Sequence, residues 1–193
     1  MNEPVKTVVI GQYRIEFYDE TDYYAKIDDN VNVYQRTYFQ ESEYVLPSIV
    51  GIMLFQEDIC KASCLIGGAG GATIVHSTSM ILNNKQLTIC CSDSVFSLAL
   101  PKLDLEWKTQ ADSVTCFGIY PLDGDYVVHG ELEITRLSKN GETIWQVGGR
   151  DIWTTHEGID DFGIHDDYIL ATDWNHNRYK IDFKGKIIEE YKI

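Results

Sequence analysis

The sequence predicts an all-β protein built from repeated antiparallel sheets, and three observations support that fold class. Apolar and polar residues alternate with period two in many short runs, such as residues 13–17 and 179–183. Turn-forming residue pairs separate these runs, and short sequence patterns recur about 45 positions apart. After Gly67, no apolar pattern at helical spacing lasts the roughly 10 to 12 residues that would indicate a helix.

The hairpins are predicted from their turn residues. Four such pairs lie between runs rich in Val, Ile, Tyr and Thr: Asn83-Asn84, Asp123-Gly124, Asn140-Gly141 and Lys184-Gly185. Asn140-Gly141 is the strongest signal, because both residue types tolerate the positive φ of a two-residue hairpin turn. We expect residues 134–137 and 143–147 to be the two strands that this turn joins.

Internal similarity divides the second part of the chain into repeats. Phe117-Gly118-Ile119 recurs as Phe162-Gly163-Ile164, 45 positions later, and Gly141 is followed by Gly185 after 44 positions. A further copy lies upstream, with a second strand in residues 87–90, a third in 96–100, a turn in 101–104 and a fourth in 105–107. Consecutive hairpins of this length indicate small four-stranded sheets that pack against their neighbours.

This order of strands and turns, ending on a strand that carries Trp107, Trp145 or Tyr191, resembles the blades of WD-repeat and quinoprotein-type β-propellers. The resemblance covers residues 73–193 and implies three antiparallel propeller-like blades there. Residues 1–72 would then add N-terminal strands and a glycine-rich connector, and can provide a fourth blade within a single domain of residues 1–193. The alternative is an irregular two-sheet β-sandwich, because regularly spaced hairpins serve both architectures.

The composition is that of an ordinary globular protein with a strong negative charge. The 193 residues include 16 Lys and Arg against 30 Asp and Glu, a net charge of −14. Such a surface repels phosphate backbones and anionic lipids, so nucleic acids and membranes are not expected as partners. The charge lies in two regions, residues 1–60 and 117–193, each with a net charge of −7, on either side of a neutral centre.

The N-terminal residues lack the continuous apolar core of a signal peptide, and no apolar run reaches the ~20 residues of a membrane helix. We therefore expect a cytoplasmic protein. The five cysteines have neither the spacing of a disulfide framework nor that of a zinc site, which predicts reduced thiols that fill the core. The Gly67-Gly68-Ala69-Gly70-Gly71 run lacks the lysine of a phosphate loop, so we interpret it as a connector or a point of close backbone approach.

Residues 151–177 are the candidate functional segment. They hold seven acidic residues and three histidines, and no Lys or Arg. Loops on a rigid β scaffold often carry recognition, and aromatic residues beside acids make good anchors. The predicted partner-binding residues are Trp153, His156, Asp160, Asp161, His165, Asp166, Asp167, Asp173, Trp174 and His176.

Two functions are consistent with this segment. The first is a non-enzymatic module that binds a basic protein, by analogy of charge and size an immunity-type inhibitor of a basic toxin. The second is a metal-dependent hydrolase or a carbohydrate-binding domain that uses His156, Asp160, His165 and His176. The segment has no Ca²⁺-loop pattern, and no quinone-docking motif or nucleophile elbow occurs in the chain, so we predict no metal, no cofactor and no catalytic residue. Self-association through unpaired blades is a further possibility.

Overall fold

The computed structural model describes residues 3–23, 32–39, 46–156 and 162–193. In these residues every regular element is a strand. In chain order the strands are β1 (Lys6–Ile10), β2 (Tyr13–Asp19), β3 (Arg36–Thr37), β4 (Ser48–Gln56), β5 (Ile59–Gly68), β6 (Met80–Leu82), β7 (Gln86–Cys91), β8 (Ser94–Ala99), β9 (Asp104–Gln110), β10 (Cys116–Leu122), β11 (Asp125–Gly130), β12 (Glu133–Leu137), β13 (Thr143–Gly148), β14 (Phe162–Ile164), β15 (Ile169–Thr172), β16 (Asn177–Ile181) and β17 (Ile187–Lys192).

The strands form four sheets. Sheet 1 has the order β1-β2-β4-β5-β3, and its only parallel pair among the described residues is β3 with β5. Sheet 2 (β6–β9), sheet 3 (β10–β13) and sheet 4 (β14–β17) are antiparallel and follow chain order. The predicted all-β fold of propeller-like blades is confirmed, and the two-sheet sandwich is wrong. The N-terminal residues provide a fourth sheet.

The sheets pack face to face in chain order. One apolar cluster joins sheets 1 and 2 and includes Ile52 and Phe96. A second cluster joins sheets 2 and 3, and a third joins sheets 3 and 4. The period-two pattern explains this arrangement: along β16, Tyr179 and Ile181 are buried while Lys180 between them is part-exposed on the other face. Each sheet therefore buries its faces against its neighbours.

The turn at Asn140-Gly141 differs from its prediction. Only Gly141 has a positive φ, of 82°, and a five-residue connection closes with Ser138 N–H donating to Glu142 O and Gly141 N–H to Ser138 O. The turn is therefore longer than a two-residue hairpin and ends in a bulge in the β12–β13 pairing. Gly185 has the same geometry in sheet 4, with a φ of 83°.

A tryptophan of each preceding sheet packs under these glycines. A Cβ added at Gly141 would lie 2.5 Å from the Trp107 ring, and one added at Gly185 would lie 2.7 Å from the Trp145 ring. The Trp145 indole N–H also donates to Phe183 O at 3.1 Å. The outer strand of sheet 2 thus packs against the last hairpin of sheet 3, and the outer strand of sheet 3 packs against the last hairpin of sheet 4.

The sequence predicted that Tyr191 is the residue of sheet 4 equivalent to these tryptophans. In the structure the equivalent residue is Glu189. In sheets 3 and 4 the pairs before the bulge are Arg136 with Trp145 and Lys180 with Glu189. Lys180 Nζ lies 2.6 Å from Glu189 Oε2, so the outward face of sheet 4 carries an ion pair where sheets 2 and 3 carry an indole. Tyr191 lies two pairs further along β17, opposite Arg178.

All five cysteines are free, as predicted. Four of them are buried in the core, whereas Cys60 is exposed, which the sequence did not predict. Among the described residues we find no helix long and apolar enough to cross a membrane.

Candidate functional site

The antiparallel order of the strands gives every sheet two ends. The connections from one sheet to the next and the turns between second and third strands lie at one end, which we call the upper end. The first and last hairpin turns of each sheet lie at the other, the lower end. The described upper-end loops are residues 20–23, 32–35, 46–47, 69–79, 92–93, 111–115, 131–132, 149–156 and 173–176.

Backbone hydrogen bonds join these loops into one surface. Gly71 N–H donates to Val114 O at 2.7 Å, and Glu131 N–H donates to Thr115 O at the same distance. Trp153 N–H in turn donates to Glu131 O at 2.7 Å. A Cβ at Gly70 would collide with the Val114 carbonyl oxygen, which confirms the glycine-rich run as a site of close backbone approach. The upper end is therefore a fixed scaffold rather than a set of separate loops.

Asp112 is the main polar anchor of this surface, and sequence reasoning did not single it out. Its side chain is buried, and Oδ1 accepts hydrogen bonds from the N–H groups of Val114 and Thr115. Oδ2 accepts from Leu132 N–H and Glu133 N–H at 2.8 and 2.7 Å. One carboxylate thus ties the connection before sheet 3 to the turn within sheet 3.

Two of the predicted partner-binding residues belong to the core. Trp153 is fully buried between sheets 3 and 4, with its ring 4.9 Å from that of Tyr179. Asp173 is also fully buried, and it accepts hydrogen bonds from Asn175 N–H, Asn177 N–H and the Tyr179 hydroxyl. These two side chains have no surface to offer a partner, and the prediction that they contact one is corrected accordingly.

His156 and Trp174 do lie together at the upper end. Their ring centroids are 3.7 Å apart, and Trp174 N–H donates to Ile152 O at 2.9 Å. Asp151 Oδ2 accepts a 2.5 Å hydrogen bond from the Asn175 amide, which joins the same two loops. His176 is part of the second loop and has a φ of 61°.

The rest of the segment is divided between the two ends. His165, Asp166 and Asp167 lie in the hairpin turn between β14 and β15, at the lower end. The four-residue strand β15 separates them from the His156–Trp174 pair by about 13 Å at the usual rise per residue. Asp160 and Asp161 lie outside the described residues. Residues 151–177 therefore do not form the single surface that the sequence predicted.

The same division bears on the alternative metal site. His165 faces the lower end, where it stacks on Tyr168, whereas His156 and His176 lie at the upper end. Within the described ranges, no three His, Cys, Asp or Glu side chains come close enough to hold a metal ion. The histidines of the candidate segment are thus not brought together as a ligand set.

The two ends differ in charge. In the described loops, Lys85, Lys102, Lys139, Lys184 and Lys186 all lie at the lower end. The described upper-end loops hold no lysine, and their one arginine, Arg150, is paired with Glu190 at 2.8 Å. Their acidic side chains with solvent access include Asp22, Asp93, Glu131 and Asp151. The upper-end loops are therefore more acidic than the lower-end loops, while Lys6 and Lys192 lie at the upper ends of β1 and β17.

A cavity of about 360 Å³ opens at the upper end. Its walls are the connection between sheets 1 and 2, β10, His129 of β11 and Thr154 of the connection between sheets 3 and 4. The lining residues are Ala72, Thr73, Ile74, His76, Thr78, Thr115, Cys116, Phe117, Tyr120, His129 and Thr154. Among the described lining residues there is no Asp, Glu, Lys or Arg, and a hydrogen bond with the Cys90 thiol together with burial raises the pKa of the Cys116 thiol, which keeps it neutral.

Three rings of the cavity lining, those of Phe117, Tyr120 and His129, lie beside the Phe162 ring. The rings of Phe162 and His129 are stacked at 4.5 Å, and Phe117 and Tyr120 contact this pair at 5.4 and 4.9 Å. The Trp153 carbonyl lies 2.6 Å from His129 Nε2, so this nitrogen carries the proton and donates. The repeated Phe-Gly-Ile sequence thus places Phe117 and Phe162 on the innermost strands.

Sequence reasoning missed this cavity. Its residues come from four separate segments, and the only local signal was the density of Thr, Ser and His in residues 72–79. His76 and Ser79 make a local turn, in which the Ser79 hydroxyl donates to His76 O, and His76 Nδ1 lies 3.0 Å from the Thr78 hydroxyl.

Comparisons with known proteins identify the fold only. No family model matches the chain, and no curated protein matches it. Among solved structures, BamB from Moraxella catarrhalis, a propeller, has a TM-score of 0.54 at 13% identity over 74% of this chain. The chain spans 44% of that protein. The designed Ika4 protein has a TM-score of 0.49 at 7% identity, covering 62% of this chain and 74% of its own. The Pan2 WD40 domain of Neurospora crassa has a TM-score of 0.48 at 14% identity, covering 60% of this chain and 37% of its own.

Proposed function

We propose that the protein is a non-enzymatic protein-interaction module that binds a basic partner at its upper end. The observation that carries this proposal is the uneven distribution of charge between the two ends. All five loop lysines of the described residues lie at the lower end, and the one upper-end arginine is neutralised by Glu190. A basic partner is therefore attracted to the upper-end loops more strongly than to the lower-end loops, where the lysines repel it.

The construction of the upper end supports a binding role. Its loops are joined by backbone hydrogen bonds and by the Asp112 carboxylate, so they can present side chains with little loss of conformational entropy on binding. The tilted His156 and Trp174 rings add an aromatic contact beside Asp151. Propeller-like structure is compatible with such a role, because loops on a rigid β scaffold often carry recognition.

A more specific form of the proposal is an immunity-type inhibitor that neutralises a basic toxin in the cytoplasm. The net charge of −14 on 193 residues supports it, because a small acidic chain would bind such a toxin rapidly and tightly.

The test compares two variants with the same change in net charge. The upper variant carries Asp93→Asn, Glu131→Gln and Asp151→Asn, and the lower variant carries Asp123→Asn, Glu142→Gln and Asp167→Asn. A partner is first captured from a lysate of the source organism on the immobilised protein at low salt, eluted at high salt and identified. Its dissociation constant is then measured for the wild-type protein and for both variants.

We expect the captured partner to be basic and the upper variant to bind it roughly 3- to 150-fold more weakly, since three part-exposed charges at ~0.2–1 kcal/mol each sum to ~0.6–3 kcal/mol. The lower variant should bind within about twofold of the wild-type protein. An equal loss for both variants would show that only net charge matters, and failure to retain any basic protein at low salt would contradict the proposal. For the immunity-type form, the captured protein must also be toxic when expressed alone.

A further inference from the structure

We propose that a second cavity, at the upper end of sheet 1, receives a lysine side chain of the basic partner. This inference rests on the proposed function, because it names the chemical group by which the partner would be held. Its evidence is an apolar cavity of side-chain size, a carboxylate oxygen beside it that has no donor, and the negative charge of the adjoining loop.

This cavity lies where the upper end of sheet 1 meets the connection to sheet 2. Its volume is about 280 Å³, and the described residues that line it are Val5, Tyr18, Asp19, Ile49, Val50, Thr73, Ile74 and Val75. The volume is just below the ~300–1,000 Å³ of sites that enclose a drug-sized ligand. The cavity therefore suits one long side chain better than a whole cofactor.

The walls are mainly aliphatic. Five of the eight described lining residues are Val or Ile. Ile49 and Val50 are buried, whereas Val5 and Ile74 are 54% and 78% exposed, so apolar surface continues from the inside of the cavity to its mouth. Methylene groups that cover this surface would remove it from water, which favours binding.

Asp19 places a negative charge beside these walls. It pairs with Val50 across β2 and β4, so its side chain lies on the face of sheet 1 that packs against sheet 2. Oδ1 accepts hydrogen bonds from the Thr21 N–H at 3.1 Å and from the Thr21 hydroxyl at 2.6 Å. Oδ2 has no donor and Asp19 has no ion pair among the described residues. This oxygen can therefore accept from a cation of the partner.

The geometry of Asp19 favours lysine over arginine. A guanidinium binds a carboxylate best through both oxygens, but the two Thr21 donors already occupy the lone pairs of Oδ1. An ammonium needs one oxygen only. The aliphatic stem of a lysine can pack on the Val and Ile walls while its charge stays hydrated beside Asp19, which is itself exposed.

The charges around the cavity also favour a cation. The loop that follows Asp19 carries the exposed Asp22. Lys6 lies opposite Phe17 at the same end of β1, but it does not line the cavity and forms no ion pair with Asp19 in the described part of the chain. The carboxylate of Asp19 therefore attracts an external ammonium group.

The experiment titrates the full-length protein with three model compounds and follows nitrogen–proton correlation NMR spectra. The compounds are Nα-acetyl-L-lysine methylamide and its arginine and norleucine analogues; norleucine has the aliphatic stem without the ammonium group. We expect the lysine compound to bind with a millimolar dissociation constant and to shift the amide signals of Asp19 and Ile74. The arginine and norleucine compounds should each bind about two- to fivefold more weakly, as expected for the loss of a part-exposed ion pair.

Two variants locate the site, and each has a matched control. Asp19→Asn should weaken binding of the lysine compound about two- to fivefold and leave binding of the norleucine compound unchanged, whereas Asp166→Asn changes the net charge equally and should change neither. Ile74→Trp places a large ring at the mouth and should abolish binding. Val9→Trp, at an exposed position that does not line the cavity, should not. The thermal unfolding midpoint of each variant shows that it is folded.

Three results would overturn the inference. They are the absence of saturable shifts with the lysine compound up to about 50 mM, equal affinities for the lysine and norleucine compounds, and equal effects of Asp19→Asn and Asp166→Asn. If a basic partner is captured and lost by the upper variant while the cavity ignores lysine, the proposed function stands and this inference is wrong. If the cavity selects lysine but no basic partner is captured, the proposed function fails and the selectivity of the cavity stands.

Discussion

The contact between each hairpin glycine and the tryptophan of the preceding sheet gives a quantitative prediction. Gly124, Gly141 and Gly185 have φ values of 85°, 82° and 83°, so alanine is equally strained at all three. A Cβ at Gly124 would meet nothing within 4 Å, whereas at Gly141 and Gly185 it would lie 2.5 and 2.7 Å from a tryptophan ring. Gly124→Ala is therefore a control that measures the cost of the strained backbone conformation alone.

The magnitudes follow from two additive effects. Alanine in the left-handed region costs ~1–2 kcal/mol, which is the whole expected loss for Gly124→Ala. A methyl group forced into a packed ring adds ~1–3 kcal/mol. We therefore expect Gly141→Ala and Gly185→Ala to lower the free energy of unfolding by about 2–5 kcal/mol.

The assay is equilibrium unfolding in urea, with the midpoint and slope fitted for each variant. Gly185→Ala should lower the free energy of unfolding more than Gly124→Ala does. This additional loss should vanish in a Trp145→Ala background, because the ring that causes it is then absent. The reasoning is refuted if all three glycine variants lose the same free energy within about 0.5 kcal/mol, the usual error of additivity.

Three further predictions concern buried groups. In the native state one thiol, Cys60, should react quickly with a disulfide reagent, and the other four should react only after unfolding, which a spectrophotometric thiol titration measures. Burial raises the pKa of Cys64 and of Cys91 from 9.0 to about 12. Their stabilising effect is complete below pH 9 and is lost as the pH rises towards 12, by about 4 kcal/mol for each thiol. Urea unfolding from pH 7 to 11 should show this loss, and Cys91→Ala should make the curve flatter above pH 9. Asp112→Ala leaves four backbone N–H groups without their acceptor and should cost about 3 kcal/mol or more in thermal unfolding, while Asp166→Ala, at an exposed turn, should cost less than about 0.5 kcal/mol.

Much of the fold could be predicted because its signals are local. The alternation around Tyr179 and the recurrence of Phe117-Gly118-Ile119 after 45 positions reflect strands and sheets made of consecutive residues. The Asn140-Gly141 turn was located correctly, but its geometry was not. The turn length depends on the bulge in the β12–β13 pairing and on Trp107 of another sheet, and neither is visible in the turn itself.

The candidate site was harder to predict because it depends on which loops meet. The segment of residues 151–177 is continuous in sequence, yet β14 and β15 carry His165 to the opposite end of the sheet from His156. The burial of Trp153 could not be distinguished from exposure by composition, since an aromatic residue beside acids suits both roles. Asp112 carries no sequence signal, because its role is defined by backbone N–H groups of two separate loops.

The ion pair of Lys180 and Glu189 on the outward face of sheet 4 determines where the chain can be shortened. Removal of residues 149–193 would leave sheet 3 as the last sheet, with Val127, Ile134 and Trp145 no longer covered. Such a fragment would expose an apolar surface and would aggregate, whereas the outward face of sheet 4 carries an ion pair that water solvates well. The charged pair of sheet 4 thus lets this face meet water, which the indoles of sheets 2 and 3 do not do.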